Sequence, residues 1–182
     1  MLRSVKVTAV ALVVGLVAAA CGSTGDEDPG EVAAEAQFDV VPYNRDDVLG
    51  EEELAVSSLL GQGTPVVLNF FAANCPPCLA EMPWLQAAAD RHDGDVLLVG
   101  VDVGPFTGLG SNEEGAQLLV DLEITYPAAY AVDSTPVREV PVVAMPTTAF
   151  FDADGQLVDT HAGIMTEDQI EDRFQQLAEA SP

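Results

Sequence analysis

Two cysteines separated by two prolines, Cys75-Pro76-Pro77-Cys78, come two residues after the apolar run Val66–Ala72 and open a segment with helical spacing. The run reads as a buried strand. In Pro76–Arg91 the apolar residues Leu79, Met82, Leu85 and Ala89 recur at helical intervals, so the sequence predicts a strand passing into a helix at the cysteines. Cys75 then sits at the helix start, where unpaired N–H groups and the helix dipole favour a thiolate. Cys78 lies one turn inside and is expected to be more buried, attacking only once Cys75 holds a mixed disulfide. Pro76 and Pro77 suit this redox loop, because a first helical turn can spare its N–H groups and the fixed φ stiffens it. The other reading of the pair is a structural disulfide.

Only three cysteines occur in the chain. That is too few for a disulfide framework. A structural zinc site would need more thiols or nearby histidines, and His92 and His161 are far apart in sequence, so no metal is expected. Both histidines and Trp84 read as surface or packing residues.

The remaining pattern alternates strand-like and helix-like segments, which predicts an α/β fold in one domain, residues 37–182. Gln37–Val41 and Leu54–Leu60 are weak elements of an N-terminal extension. Val96–Val103 is a second buried strand and Asn112–Leu122 a helix with Asn112 as its N-cap. Between them Gly104–Ser111 reads as a glycine-rich loop without the Gly-Lys-Ser/Thr of a phosphate site. Thr147–Asp152 and Gln156–His161 flank Ala-Asp-Gly, a hairpin signal. Thr166–Glu179 closes the chain as a helix, with Thr166 and Gln169 forming a capping box.

Residues 1–20 have the form of a secretion signal: Arg3 and Lys6, then an apolar run of 14 residues from Val7 to Ala20 ending in three alanines. The run is short for a membrane span, which takes about 20 residues. Small residues followed by Cys21 resemble the lipobox of bacterial lipoproteins, although Ala18 stands where leucine is usual. That resemblance implies lipid on Cys21 and anchorage at the extracytoplasmic face of the membrane. An ordinary cleaved signal and an uncleaved anchor helix are the alternatives. Residues 21–36 carry acidic residues, Gly and Pro without apolar periodicity and read as a flexible tether. From Cys21 onward four basic residues face thirty acidic ones, a formal −26, which argues against nucleic acid as a partner.

Taken together, NFFAANCPPCLAEMPWLQ and the later MPTTAFFDADGQ resemble the TlpA/ResA-like branch of the thioredoxin superfamily. The resemblance covers roughly residues 37–180. It implies a thioredoxin-like fold: a central mixed sheet flanked by helices on both faces, an N-terminal hairpin, and a helix-containing insert for which Asn112–Leu122 and the segment up to Ala131 are candidates. Met145-Pro146 matches the superfamily's cis-proline, which implies that Met145, Pro146 and Thr147 border an extended substrate. Pro83 matches its helix-kinking proline. Asn69 stands where thioredoxin has a buried acid, and asparagine cannot relay a proton. Glu81, three residues after Cys78, is the available substitute, against a plainer reading as an exposed helix-end charge. Asn74 stands where relatives have an aromatic residue, which makes the docking surface smaller and more polar.

The implied activity is thiol–disulfide exchange as a monomer without a cofactor. Its partners would be secreted or membrane-associated protein thiols, with apocytochrome c a candidate, and a membrane thiol–disulfide electron donor. Two alternatives are weaker. A thiol peroxidase needs a threonine where Ala72 stands, and thioredoxin-fold copper chaperones, which could use His161, space their cysteines more widely.

Overall fold

The computed structural model describes residues 36–139 and 144–180. The leader, most of the tether and Cys21 lie outside the described residues. Ala36, which the sequence places at the end of the tether, is buried in the core, so the packed domain includes it.

The strand ahead of the cysteines is the centre of the molecule. β3 (Val66–Phe71) is buried at every position. It pairs in parallel with β4 (Leu97–Asp102) and antiparallel with β6 (Thr147–Phe151), so its backbone is satisfied on both edges. β5 (Ala128–Ala131) continues the parallel set beside β4. β1 (Asp39–Pro42) lies antiparallel to β5, and the two-residue β2 (Leu54–Ala55) pairs with β1 as the N-terminal hairpin. β7 (Leu157–Ala162) closes the other edge against β6. The order across the sheet is β2-β1-β5-β4-β3-β6-β7, a mixed seven-stranded sheet.

Two crossovers step in the same direction, from β3 to β4 through α2 (Pro76–Arg91) and from β4 to β5 through α4 (Asn112–Asp121). Right-handed connections then place both helices on one face. α6 (Glu167–Ala180) joins them there, with Met82, Leu85, Leu118, Leu119, Ile170 and Phe174 all buried in one cluster with Val67 and Phe71 of β3. The opposite face carries Val66, Leu68 and Phe70 and is covered by short pieces. These are α1 (Asp46–Leu49), a 3₁₀ turn at Val56–Leu59, and α5 (Thr135–Glu139), which supplies Val137. Helices thus flank both faces, unequally.

Local chemistry explains where elements begin. α4 starts one residue earlier than a cap at Asn112 would place it. Ser111 is its N-cap: the Ser111 hydroxyl accepts the Glu114 N–H at 3.3 Å while the Glu114 carboxylate accepts the Ser111 N–H at 2.8 Å. Asn112 is therefore the first helical residue and not the cap. At α6 the expected box is present, Thr166 and Gln169 satisfying each other's N–H groups at 2.9 and 3.3 Å. The stretch read as a glycine-rich loop contains a helical turn, α3 (Gly104–Thr107), closed by Gly108 in the left-handed region at φ 72°.

Candidate active site

Cys75 caps α2 with extended backbone, and Pro76 occupies the first helical position, as the spacing requires. The two cysteines form a disulfide, with Cα atoms 5.3 Å apart. Cys75 Sγ also accepts the Cys78 N–H at 3.3 Å, so the sulfur lies against the helix N-terminus. Cys75 is 3% exposed and Cys78 1%, while Asn74, Pro76 and Pro77 are exposed around them.

Antiparallel pairing of β3 with β6 brings the start of β6 to the end of β3 that leads into Cys75, with Phe70 opposite Thr147. Met145 and Pro146 therefore lie at the same end of the sheet as the disulfide. Their peptide bond is cis. Pro146 is buried and Met145 half-buried, packing against both core clusters. The Pro146 carbonyl accepts the Gly163 N–H at 2.8 Å, and the buried Thr147 hydroxyl donates to the Ala144 carbonyl at 2.6 Å.

Glu81 is fully buried, which removes the plainer reading of an exposed helix-end charge. One carboxylate oxygen accepts the Met165 N–H at 2.9 Å and the other accepts from Asn69 Nδ2 at 3.3 Å. Asn69 Nδ2 donates as well to Thr148 Oγ1 at 2.9 Å. Burial pushes the Glu81 carboxyl up to about 7, against the pull of its two donors. Asn69 thus supports the carboxyl in place of carrying one.

A second buried carboxyl escaped the sequence reading. Asp102, at the end of β4, accepts the Gly104 N–H at 2.8 Å and the Tyr43 hydroxyl at 2.8 Å, and burial holds it above the ordinary carboxylate value. The signal available was Gly115 inside α4: a Cβ there would overlap the Asp102 carboxylate and crowd the Tyr43 hydroxyl, so the helix passes only as glycine. This network fixes α3 and the residues after it, which in turn hold the approach to Cys75. The Asn74 N–H donates to the Leu109 carbonyl at 2.7 Å, and Gly110, at φ 140°, has no room for a Cβ against Ala73.

His92 and His161 are not drawn together: His92 bonds Glu171 at 3.0 Å, while His161 sits on edge strand β7 opposite Thr148. Trp84 packs half-buried against the α2 cluster. No group of three or more metal-ligating side chains occurs among the described residues. Nor, among them, is any helix long and apolar enough to cross a membrane.

The Redoxin family profile matches residues 46–177. The chain belongs to the Redoxin family. It is similar to sporulation thiol-disulfide oxidoreductase A of Bacillus subtilis, 27% identical over 151 residues that cover 79% of this chain and 86% of that one. It is similar also to thiol-disulfide oxidoreductase ResA of Oceanobacillus iheyensis, at 28% over 134 residues, covering 70% of this chain and 64% of the relative. Among solved structures, MTB dsbF in mixed oxidized and reduced forms superposes with a TM-score of 0.67 at 26% identity, covering 81% of this chain and 99% of that one. The exposed lipoprotein thioredoxin of Streptococcus pneumoniae strain TIGR4 has the same fold, with a TM-score of 0.62 at 24% identity over 77% of this chain and 98% of its own. This Redoxin protein is thus an oxidoreductase of the thiol–disulfide class with a thioredoxin-like fold.

Proposed function

We propose that the protein is a lipid-anchored, extracytoplasmic reductant of disulfides in secreted proteins, with Cys75 as the nucleophile and Cys78 as the resolving thiol. The observation that carries this is the Cys75–Cys78 disulfide at the N-terminus of α2, at the end of the sheet where β6 begins after the cis Met145–Pro146 bond, with the buried Glu81 three residues further along the helix. A Cys75 thiolate attacks a client disulfide; a Cys75–client bond forms and the client's other sulfur leaves as a thiolate and takes a proton. Cys78 gives its proton to the Glu81 carboxylate and attacks the Cys75 sulfur, which releases the second client thiolate and leaves the disulfide seen in the structure. Two electrons pass to the client, and a membrane thiol–disulfide donor restores the dithiol. The client lies extended along Met145, Pro146 and Thr147, its backbone pairing with that of Met145.

Lipid on Cys21 would tether the domain through residues 22–35. That one structural neighbour is an exposed lipoprotein thioredoxin supports this placement. Apocytochrome c is the candidate client, on the resemblance to ResA-like proteins. The reduction potential tests the direction of electron flow. Equilibration with a dithiol buffer should give a value near thioredoxin's, about −270 mV, whereas one near about −120 mV would make the protein an oxidant.

A further inference from the structure

Among the described residues, the buried polar atoms without a hydrogen-bond partner include Asn69 Oδ1 and the Tyr126 hydroxyl. Asn69 is fully buried and Tyr126 is 2% exposed. Both belong to the surroundings of Glu81. Asn69 bonds it directly, and the Glu81 charge raises the Tyr126 phenol beyond the effect of burial alone.

The sequence makes room for this neighbour. Gly100 on β4 is the register partner of Asn69, and a Cβ there would meet Tyr126 Cε2 at 3.1 Å. The Tyr126 ring therefore lies over a bare strand position next to Asn69, between the sheet and α2. Its backbone is pinned from two sides: the Tyr126 N–H donates to Gln86 Oε1 of α2 at 3.1 Å, and its carbonyl accepts Asn44 Nδ2 at 3.2 Å. A ring held this firmly brings its hydroxyl to one place.

A carbonyl oxygen only accepts, and a phenol both donates and accepts. Two such atoms left without partners in a packed interior, next to a carboxyl, match the lining of an enclosed water, which needs two to four polar contacts. We propose that Tyr126 is a positioning residue for Glu81, its hydroxyl and Asn69 Oδ1 together binding one enclosed water that donates to the Glu81 carboxylate. The water accepts from the phenol and gives one hydrogen to Asn69 and one to Glu81. It favours the ionised carboxyl, the form that must take the proton of Cys78. This rests on the role of Glu81 proposed above. The ionisable groups around the site are Glu81 and the Cys75–Cys78 pair on α2 and Tyr126 before β5. Asn69 of β3, Thr148 of β6 and the Met165 N–H before α6 supply neutral contacts.

The test is the pH dependence of cysteine alkylation in the reduced protein, for the parent, Tyr126→Phe, Glu81→Gln and the double variant. Loss of one hydrogen bond to the charged form should move the Glu81-dependent midpoint up by about half to one pH unit in Tyr126→Phe. Glu81→Gln should remove that inflection, and Tyr126→Phe should add nothing to it. If Glu81→Gln changes the profile while Tyr126→Phe superimposes on the parent, the proposal fails and the role of Glu81 stands. A Glu81→Gln profile that matches the parent's ends both. A crystal structure of the parent provides the second measurement: water density within hydrogen-bond distance of the Tyr126 hydroxyl and Asn69 Oδ1 supports the site, and a dry contact between them overturns it.

Discussion

Replacing Glu81 with glutamine should change how stability depends on pH as well as how fast the thiols react. The carboxyl is fully buried and burial lifts it from 4.5 to about 7. Between those values the folded protein holds a proton that the unfolded chain has released. The stability contributed by this group is therefore fully present below about 4.5 and is lost as pH rises through 7. At 1.36 kcal/mol per pH unit the loss is about 3 kcal/mol, an order-of-magnitude figure for a group without solvent screening. Glutamine keeps the acceptor for the Met165 N–H and carries no charge. Its amide would meet the Asn69 amide donor to donor, a cost of about 1–3 kcal/mol that is the same at every pH. Guanidinium unfolding of the disulfide form, from pH 4.5 to 8, gives the stability difference between variant and parent. Every other carboxylate is common to both and cancels. The difference should move in favour of the glutamine variant by about 3 kcal/mol across this window. If it stays constant to within about 0.5 kcal/mol, the group ionises as an ordinary glutamate and the reasoning from burial fails.

Two further substitutions test other parts of the account. Cys21→Ser should abolish lipid labelling and membrane association in a bacterial host, and a variant that stays unprocessed in the membrane fraction would point to an anchor helix instead. Gly115→Ala drives a methyl group into the Asp102 carboxylate, so it should cost about 1–3 kcal/mol of stability in a thermal melt; a parent-like melt would contradict the close passage of α4 over Asp102.

Much of the candidate site was legible because its geometry is local. A strand followed within a few residues by two cysteines and two prolines points to a helix capped by a thiol, and α2 runs from Pro76 to Arg91 as its apolar spacing indicates. The hairpin around Asp154 and the Thr166 cap are likewise written in neighbouring residues. What the sequence hid depends on pairs far apart along the chain. Glu81 meets Met165 across 84 residues and Asn69 meets Thr148 across 79, so nothing near Glu81 announces that it is buried. The Asp102–Tyr43 bond spans 59 residues and closes only when β1 inserts beside β5. Short elements were hidden for another reason: α3 and α5 have four and five residues, too few for periodicity to show.

The central claim is that Cys75 attacks and Cys78 resolves. Cys78→Ser, expressed with its leader and recovered after acid quenching of thiol exchange, should carry client proteins in disulfide linkage to Cys75, releasable by dithiothreitol. Cys75→Ser should carry none, because its remaining thiol lies one turn inside α2, away from the helix N-terminus that favours the thiolate. Equal trapping by the two variants, or trapping by Cys75→Ser alone, would contradict the assignment.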